Sequence, residues 1–209
     1  MLVLAFDTSS AAVTADLVDG SGVLAHRRWV GPHGHSEQLS PTISACLAAA
    51  QVGPRELGAI VVGTGPGPFT GLRVGLVSAA AMAEALGIPA YGVCSLDGIA
   101  PATGDVLVAT DARRQEVYWA TYRDGARVDG PHVSYPADVD PGTATAMTGA
   151  GAALYADVLG LPLLDDEYPS PAALAAVARD RIAAGAPSDP LAPLYLRRPD
   201  AVVPKAMRR

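Results

Sequence analysis

The sequence predicts an α/β fold of two duplicated lobes, each a mixed sheet flanked by helices, and three observations carry that expectation. A strand, an aspartate-led turn, a second strand, an Asp-Gly turn and a third strand open the chain, and the same order returns in its second half. Helical patterns follow each three-strand set. An apolar strand, a glycine-crowded turn and a long helix join the first sheet, as in a strand-loop-helix-strand unit.

Taken in order, residues 2–6 are an apolar strand interrupted by Asp7, Thr8, Ser9 and Ser10; residues 12–18 resume it and turn at Asp19 and Gly20, and residues 23–30 make a third strand. Residues 36–51 follow as a helix with Ser36 as its cap. The strand at Ile60, Val61 and Val62 leads through residues 63–71 into a helix over 72–86, with Thr70 as N-cap and Gly87 plus Pro89 as the stop. A short strand begins at Ala90. In the second half, residues 106–110, Asp111 to Arg114, residues 116–123, Asp124-Gly125 and residues 127–135 repeat the opening. Aligning Asp7 with Asp111 puts Val13 on Val117, and one inserted residue brings Asp19-Gly20 onto Asp124-Gly125. Helices are expected over 144–159 and 170–184, the latter with Ser170 as cap, Pro171 at its first position and Gly185 past its end. The lobes divide at 1–101 and 102–209.

At 209 residues, half of them hydrophobic, the chain can bury one substantial core or two small lobes sharing an interface. The N-terminus lacks a basic region followed by a cleavable apolar stretch, and residues 72–86 fall short of a membrane span, so a cytoplasmic protein is expected. Cys46 and Cys94 have no metal or redox spacing and are expected to be buried thiols. A net charge of −6 argues against gripping nucleic acid over a broad face; any RNA contact needs a local patch. The last residues are the exception, with Arg197, Arg198, Lys205, Arg208 and Arg209 among prolines, and are expected to lie along a surface or fray.

Glycines between a strand end and a helix start let a backbone approach closely and favour an anion. The specific phosphate motifs nevertheless miss. A Walker loop ends in Gly-Lys-Ser/Thr, whereas Gly71 precedes Leu72 and Arg73; Gly65 and Gly67 are followed by Gly71 one residue late for a dinucleotide fold. Two lobes with an aspartate at the tip of each first strand resemble the actin-like, sugar-kinase and heat-shock ATPase superfamily. That resemblance makes Asp7, Thr8, Ser9, Gly65, Gly67 and Asp111 candidates for holding a nucleotide between the lobes, against the plainer reading of turn chemistry. The glycine usual beside the first aspartate is absent.

Several segments read together sharpen this: Phe6-Asp7-Thr8-Ser9; His35-Ser36-Glu37-Gln38-Leu39 with Pro41; Gly65 through Gly75; Asp111-Ala112-Arg113 with Glu116-Val117-Tyr118; and Pro193-Leu194-Tyr195-Leu196-Arg197. Over almost the whole chain they resemble the TsaB (YeaZ) family. The resemblance implies a bacterial, non-catalytic partner of the related enzyme TsaD, joined by the small ATPase TsaE, in making N6-threonylcarbamoyladenosine beside the anticodon of tRNA. It implies contact with tRNA only through that complex, a homodimer when the partner is absent, and no cofactor. TsaD-like enzymes carry a His-x-x-x-His metal pair after the strand that follows the glycine-loop helix. The matching positions are Ser95 and Ile99, and Ile99 has no donor atom. His33, His35 and Glu37 are the other histidine-rich cluster, and their spacing reads as a helix start. The rival readings are an ATP-binding or ATP-hydrolysing enzyme built on Asp7 and Asp111 and, behind it, a metallopeptidase.

Without chemistry, binding carries the function, and two helices supply the surface. Leu39, Ile43, Cys46, Leu47 and Ala50 fall on one face of the helix over 36–51, for a core or a partner. Apolar residues surround the helix over 72–86, and Gly71, Gly75, Ala79 and Ala83 repeat every four positions as a shallow stripe that admits another backbone. Packing within the lobe explains the stripe as readily as docking does. The family resemblance favours docking, so Leu39, Ile43, Cys46, Leu47, Gly75, Val77, Ala79, Ala80 and Ala83 are the expected partner interface.

Overall fold

The computed structural model describes residues 1–31, 33–165 and 167–197. Strands β1 (Leu2–Asp7), β2 (Ala12–Asp19) and β3 (Gly22–Val30) form an antiparallel meander. Helix α1 (His35–Ala49) leads to β4 (Leu57–Gly63), then helix α2 (Phe69–Leu86) and β5 (Ala90–Val93). The sheet order is β3-β2-β1-β4-β5, with β1, β4 and β5 parallel. The second lobe repeats the plan: β6 (Asp105–Asp111), β7 (Val117–Arg123) and β8 (Ala126–Ser134) are antiparallel, and β9 (Ala146–Thr148) adds in parallel to β6. Its fifth position shrinks to one bridge, Met147 to Leu163. The mixed α/β architecture is the expected one.

Alternation along β1 and β4 explains why both read as unbroken apolar runs. Leu4, Phe6, Ile60 and Val62 point to one side, where Leu39, Ile43, Leu47 and Leu76 of α1 and α2 meet them; Val3, Ala5, Ala59 and Val61 point to the other. That second side is covered from far along the chain, by Leu174, Ala175 and Ala178 of α5 (Pro171–Val177) and the residue after it. Residues 171–178 therefore complete the core of the first lobe. Between the lobes, Cys94, Leu96 and Ile99 pack with Val108, Ala120 and Tyr122.

Helix boundaries depart from expectation in several places. Gly34 and Pro68 precede α1 and α2, so neither Ser36 nor Thr70 is a cap. The helix expected over 144–159 is instead β9 followed by two short helices, α3 (Ala150–Leu154) and α4 (Ala156–Leu159), because pairing of Met147 with β6 outweighs the helical propensity of the alanines. The last helix breaks into α5 and α6 (Arg179–Ala183), with Ser170 capping the Ala173 amide as expected. Helix α2 runs 18 residues and is long and apolar enough by composition to cross a membrane, contrary to the expectation of too short a run; its inner side lies on its own sheet.

Beyond α6, residues 186–197 run along the outer edge of β5. The Ala90 amide donates to Ser188 Oγ, the Asp189 amide to the Ala90 carbonyl, and the Gly92 amide to Asp189 Oδ2. This covers edge hydrogen-bonding groups that would otherwise template another strand. Of the basic terminus, Arg197 is placed, pairing with Glu116 and donating to the Ala112 carbonyl at 3.2 Å. Arg198, Lys205, Arg208 and Arg209 lie outside the described residues.

Candidate functional site: the β1 tip, the interlobe cleft and the outer face of α2

The glycine turn between β4 and α2 folds onto the end of β1. Thr8 Oγ1 donates to the Gly71 carbonyl at 2.8 Å, and the Gly65 amide donates to Ser95 Oγ at 3.0 Å. Ser95 Oγ in turn donates to Asp7 Oδ2 at 2.5 Å, while Asp7 Oδ1 accepts from the amide and hydroxyl of Ser9, both at 2.7 Å. A Cβ on Gly67 would stand 2.9 Å from the Ser9 carbonyl carbon and nearer still to its oxygen, and one on Gly75 would strike Thr8 Oγ1. The glycines therefore serve contact between two pieces of the same chain.

Asp7 has no exposure, and Thr8 and Ser9 are buried with it. Burial pushes the Asp7 carboxyl above its usual value of 3.8, against the hydrogen bonds from Ser95 and Ser9 that favour the charged form. The folded state therefore binds a proton more readily than the unfolded chain, so this group's contribution to stability falls as pH rises from 3.8 to the raised value. Asp7→Asn is expected to flatten that fall relative to wild type, in urea denaturation compared from about pH 4 to about pH 7.

These contacts divide the expected nucleotide constellation. Asp7, Thr8, Ser9 and Gly65 are enclosed by their own lobe, whereas Gly67 and Asp111 line a cleft of about 400 Å³ between the lobes. The cleft is also walled by Phe69, Arg113, Arg114 and Tyr195. Asp111 Oδ1 accepts from the Arg113 amide at 2.8 Å and its Oδ2 lies 3.2 Å from the Arg113 guanidinium. Arg113, Arg114 and Gln115 take φ of 60°, 56° and 63°, three successive left-handed residues without a glycine. Each costs about 1 kcal/mol against an ordinary conformation. Across the cleft, Phe69 and Tyr195 stack with centroids 5.0 Å apart, Arg73 lies 3.8 Å over the Phe69 ring, and its Nε donates to the Tyr195 hydroxyl at 3.1 Å. Sequence reasoning missed this cluster because Phe69, Arg73 and Tyr195 are joined only by the extended 186–197 segment.

The expected partner interface divides in the same way. Leu39, Ile43, Cys46 and Leu47 are buried against the first sheet, as are Gly75, Ala79 and Ala83, so the stripe of small residues receives the chain's own Thr8 and Val62. Val77, 66% exposed, and Ala80 remain on the outer face of α2. Beside them lies a groove of about 740 Å³ bounded by Glu84, Ile88 and Leu191.

Ser95 and Ile99, the positions matching the metal pair, are both buried. One is bound to Asp7 and Gly65; the other is packed between the lobes. A hydroxyl already engaged and an alkyl chain do not fit a transition metal. His35 Nε2 is 2.7 Å from the Ser10 carbonyl, which ties the start of α1 to the β1–β2 turn, and His33 is exposed.

The family model described as tRNA N6-adenosine threonylcarbamoyltransferase (TsaD) matches residues 30–146. An uncharacterized protein of Mycobacterium leprae is 54% identical over 96% of this chain and 56% of its own length. TsaB of Escherichia coli, named a tRNA threonylcarbamoyladenosine biosynthesis protein, is 33% identical over 59% of this chain and 55% of its own. The chain thus spans a little over half the length of these two relatives. The structure of YeaZ from Pseudomonas aeruginosa superposes with a TM-score of 0.80 at 28% identity, covering 93% of this chain and 99% of that one. The chain belongs to the tRNA N6-adenosine threonylcarbamoyltransferase (TsaD) family, as a member of its TsaB/YeaZ group.

Proposed function

We propose that the chain is a non-catalytic docking subunit in the biosynthesis of N6-threonylcarbamoyladenosine beside the anticodon of tRNA, pairing with a TsaD-type enzyme that the TsaE ATPase joins. The observation that carries this reading is the fate of Ser95 and Ile99. At the two positions where the resemblance to TsaD-like enzymes implies a metal pair, this chain spends both residues on its own packing. The name of the Escherichia coli relative supplies the pathway. The outer face of α2 supports the docking role, because Val77 and Ala80 stand beside a groove that a matching helix of the enzyme can enter.

Asp7, the leading candidate for chemistry, is walled off by Ser9, Ser95 and the Gly67 turn, which weighs against the ATPase reading. Mass spectrometry of bulk tRNA from cells depleted of this protein tests the assignment. The modified nucleoside is expected to fall below a tenth of its normal level; an unchanged level would contradict the assignment.

A further inference from the structure

We infer that the 186–197 segment ends in a latch: its last residues, with Tyr195 at their centre, cover the first turn of the proposed docking face of α2 in the free chain and are displaced when the partner binds. The inference rests on the docking role proposed above and names how that face is regulated. Phe69, Arg73, Val77, Ala80 and Glu84 follow one another at helical steps of three or four, so they lie in one line on the outer face of α2, and all are exposed. Val77 and Ala80 stand bare in the middle of that line, whereas its first turn is occupied by the chain itself. Tyr195 stacks on Phe69 with an interplanar angle of 21°, and its hydroxyl accepts from Arg73 Nε. Aromatic and arginine side chains are the ones that protein interfaces concentrate. The latch therefore sits on the two residues of the line best suited to anchor a partner.

The segment is held unevenly, which is what lets its end move without the rest. Its upstream part is fastened to the first lobe from several directions. Tyr91 Oη donates to the Ala186 carbonyl at 2.7 Å, the Gly92 amide donates to Asp189 Oδ2 at 3.0 Å, Asp189 pairs with Arg181, and Leu191 packs on the core. Pro190 and Pro193 then fix φ at two points and separate this anchored part from the end. Beyond Pro193 the hold is lighter. The Leu194 amide donates to the Thr64 carbonyl at 2.8 Å and its side chain packs at the margin of the interlobe cluster. Tyr195 keeps 39% exposure on a Phe69 ring that is itself 42% exposed, and Arg197 crosses to Ala112 and Glu116 of the second lobe. Tyr195 and Arg197 also wall the interlobe cleft, so release opens it, and docking on α2 is coupled to access to that cleft.

A closed latch lowers apparent affinity in proportion to the fraction of chains that are open. Titration calorimetry of the full chain with the purified, proposed TsaD-type partner is expected to show Tyr195→Ala binding about five to ten times more tightly than wild type, as for a latch closed in about 80–90% of chains. Tyr195→Phe, which keeps the ring and loses the bond from Arg73, should fall between them, and circular dichroism checks both folds. In the free chain, amide exchange followed by NMR should be faster at Leu194 in Tyr195→Ala than in wild type, while the Gly92 and Asp189 amides keep their protection. Adding the partner to wild type should speed Leu194 in the same way.

Unchanged or weaker binding by Tyr195→Ala would overturn the latch, the weaker result by making Tyr195 part of the interface. So would slower exchange of Leu194 in the complex, or Leu194, Gly92 and Asp189 accelerating together in the variant. Absence of a complex with wild type and variant alike would refute the docking role and the latch with it, whereas a complex of equal strength in both would refute the latch alone.

Discussion

Gly67→Ala is expected to destabilise the fold by about 3 kcal/mol, at the upper end for overpacking a filled site, and to lower Tm by about 6–12 °C for a chain of this length. The added carbon would meet backbone, not the end of a flexible side chain: the carbonyl carbon and Cα of Ser9 stand at 2.9 and 3.0 Å, with the oxygen closer. Ser9 cannot retreat, because its amide and hydroxyl are both held by Asp7 Oδ1. Relief would have to come from breaking hydrogen bonds to a carboxyl group buried without exposure, where a partner left unsatisfied costs about 1–3 kcal/mol. Gly20→Ala is the control. No atom lies within 4 Å of its Cβ, and the change should stay within about 0.5 kcal/mol. Thermal and urea denaturation of the two variants side by side check the pair.

Val77→Arg with Ala80→Arg is expected to weaken association with the proposed TsaD-type partner by at least a factor of about 100, while the isolated chain stays folded. Both positions lie on the outer face of α2, and exposed substitutions of this kind cost about 0.5 kcal/mol or less. In a packed helix–helix contact the same cations would be buried without partners, at about 3–5 kcal/mol, which corresponds to a hundredfold or more in Kd. Glu84, one turn further on, is the nearest acidic residue on the helix and is exposed, so it would hold an arginine only weakly. Titration calorimetry with the purified partner reads the loss, and circular dichroism of the variant alone confirms its fold. Wild-type affinity would remove these positions from the interface.

Much of the architecture was legible because period and punctuation agree. Strand alternation in Leu4, Phe6, Ile60 and Val62, the Asp-Gly turns, and the repeat that sets Asp7 on Asp111 all reappear as matching sheets. What was not legible depends on residues distant in sequence. Leu174 fills the back of a sheet made by residues up to Val93, and no periodicity in either segment records that pairing. The stripe of small residues on α2 was visible, but its use was not. Thr8 occupies the groove that Gly71 and Gly75 open, so a feature that fits a partner backbone serves the chain's own. The cleft was half legible: Asp111 and Gly67 were named as candidates for a site, whereas Arg114 and Tyr195 were read only as parts of a turn and of a family segment, and the structure brings them to one cleft. Ser95 was legible as a missing metal ligand. Its bond to Asp7 was not, since 88 residues separate them.

The most direct test of the docking account is the N6-threonylcarbamoyladenosine content of tRNA from cells in which the Val77→Arg, Ala80→Arg chain replaces the wild type at equal abundance. The account predicts a fall to the level of cells lacking the protein. Full modification in those cells, with the variant chain unable to bind the enzyme in vitro, would contradict it.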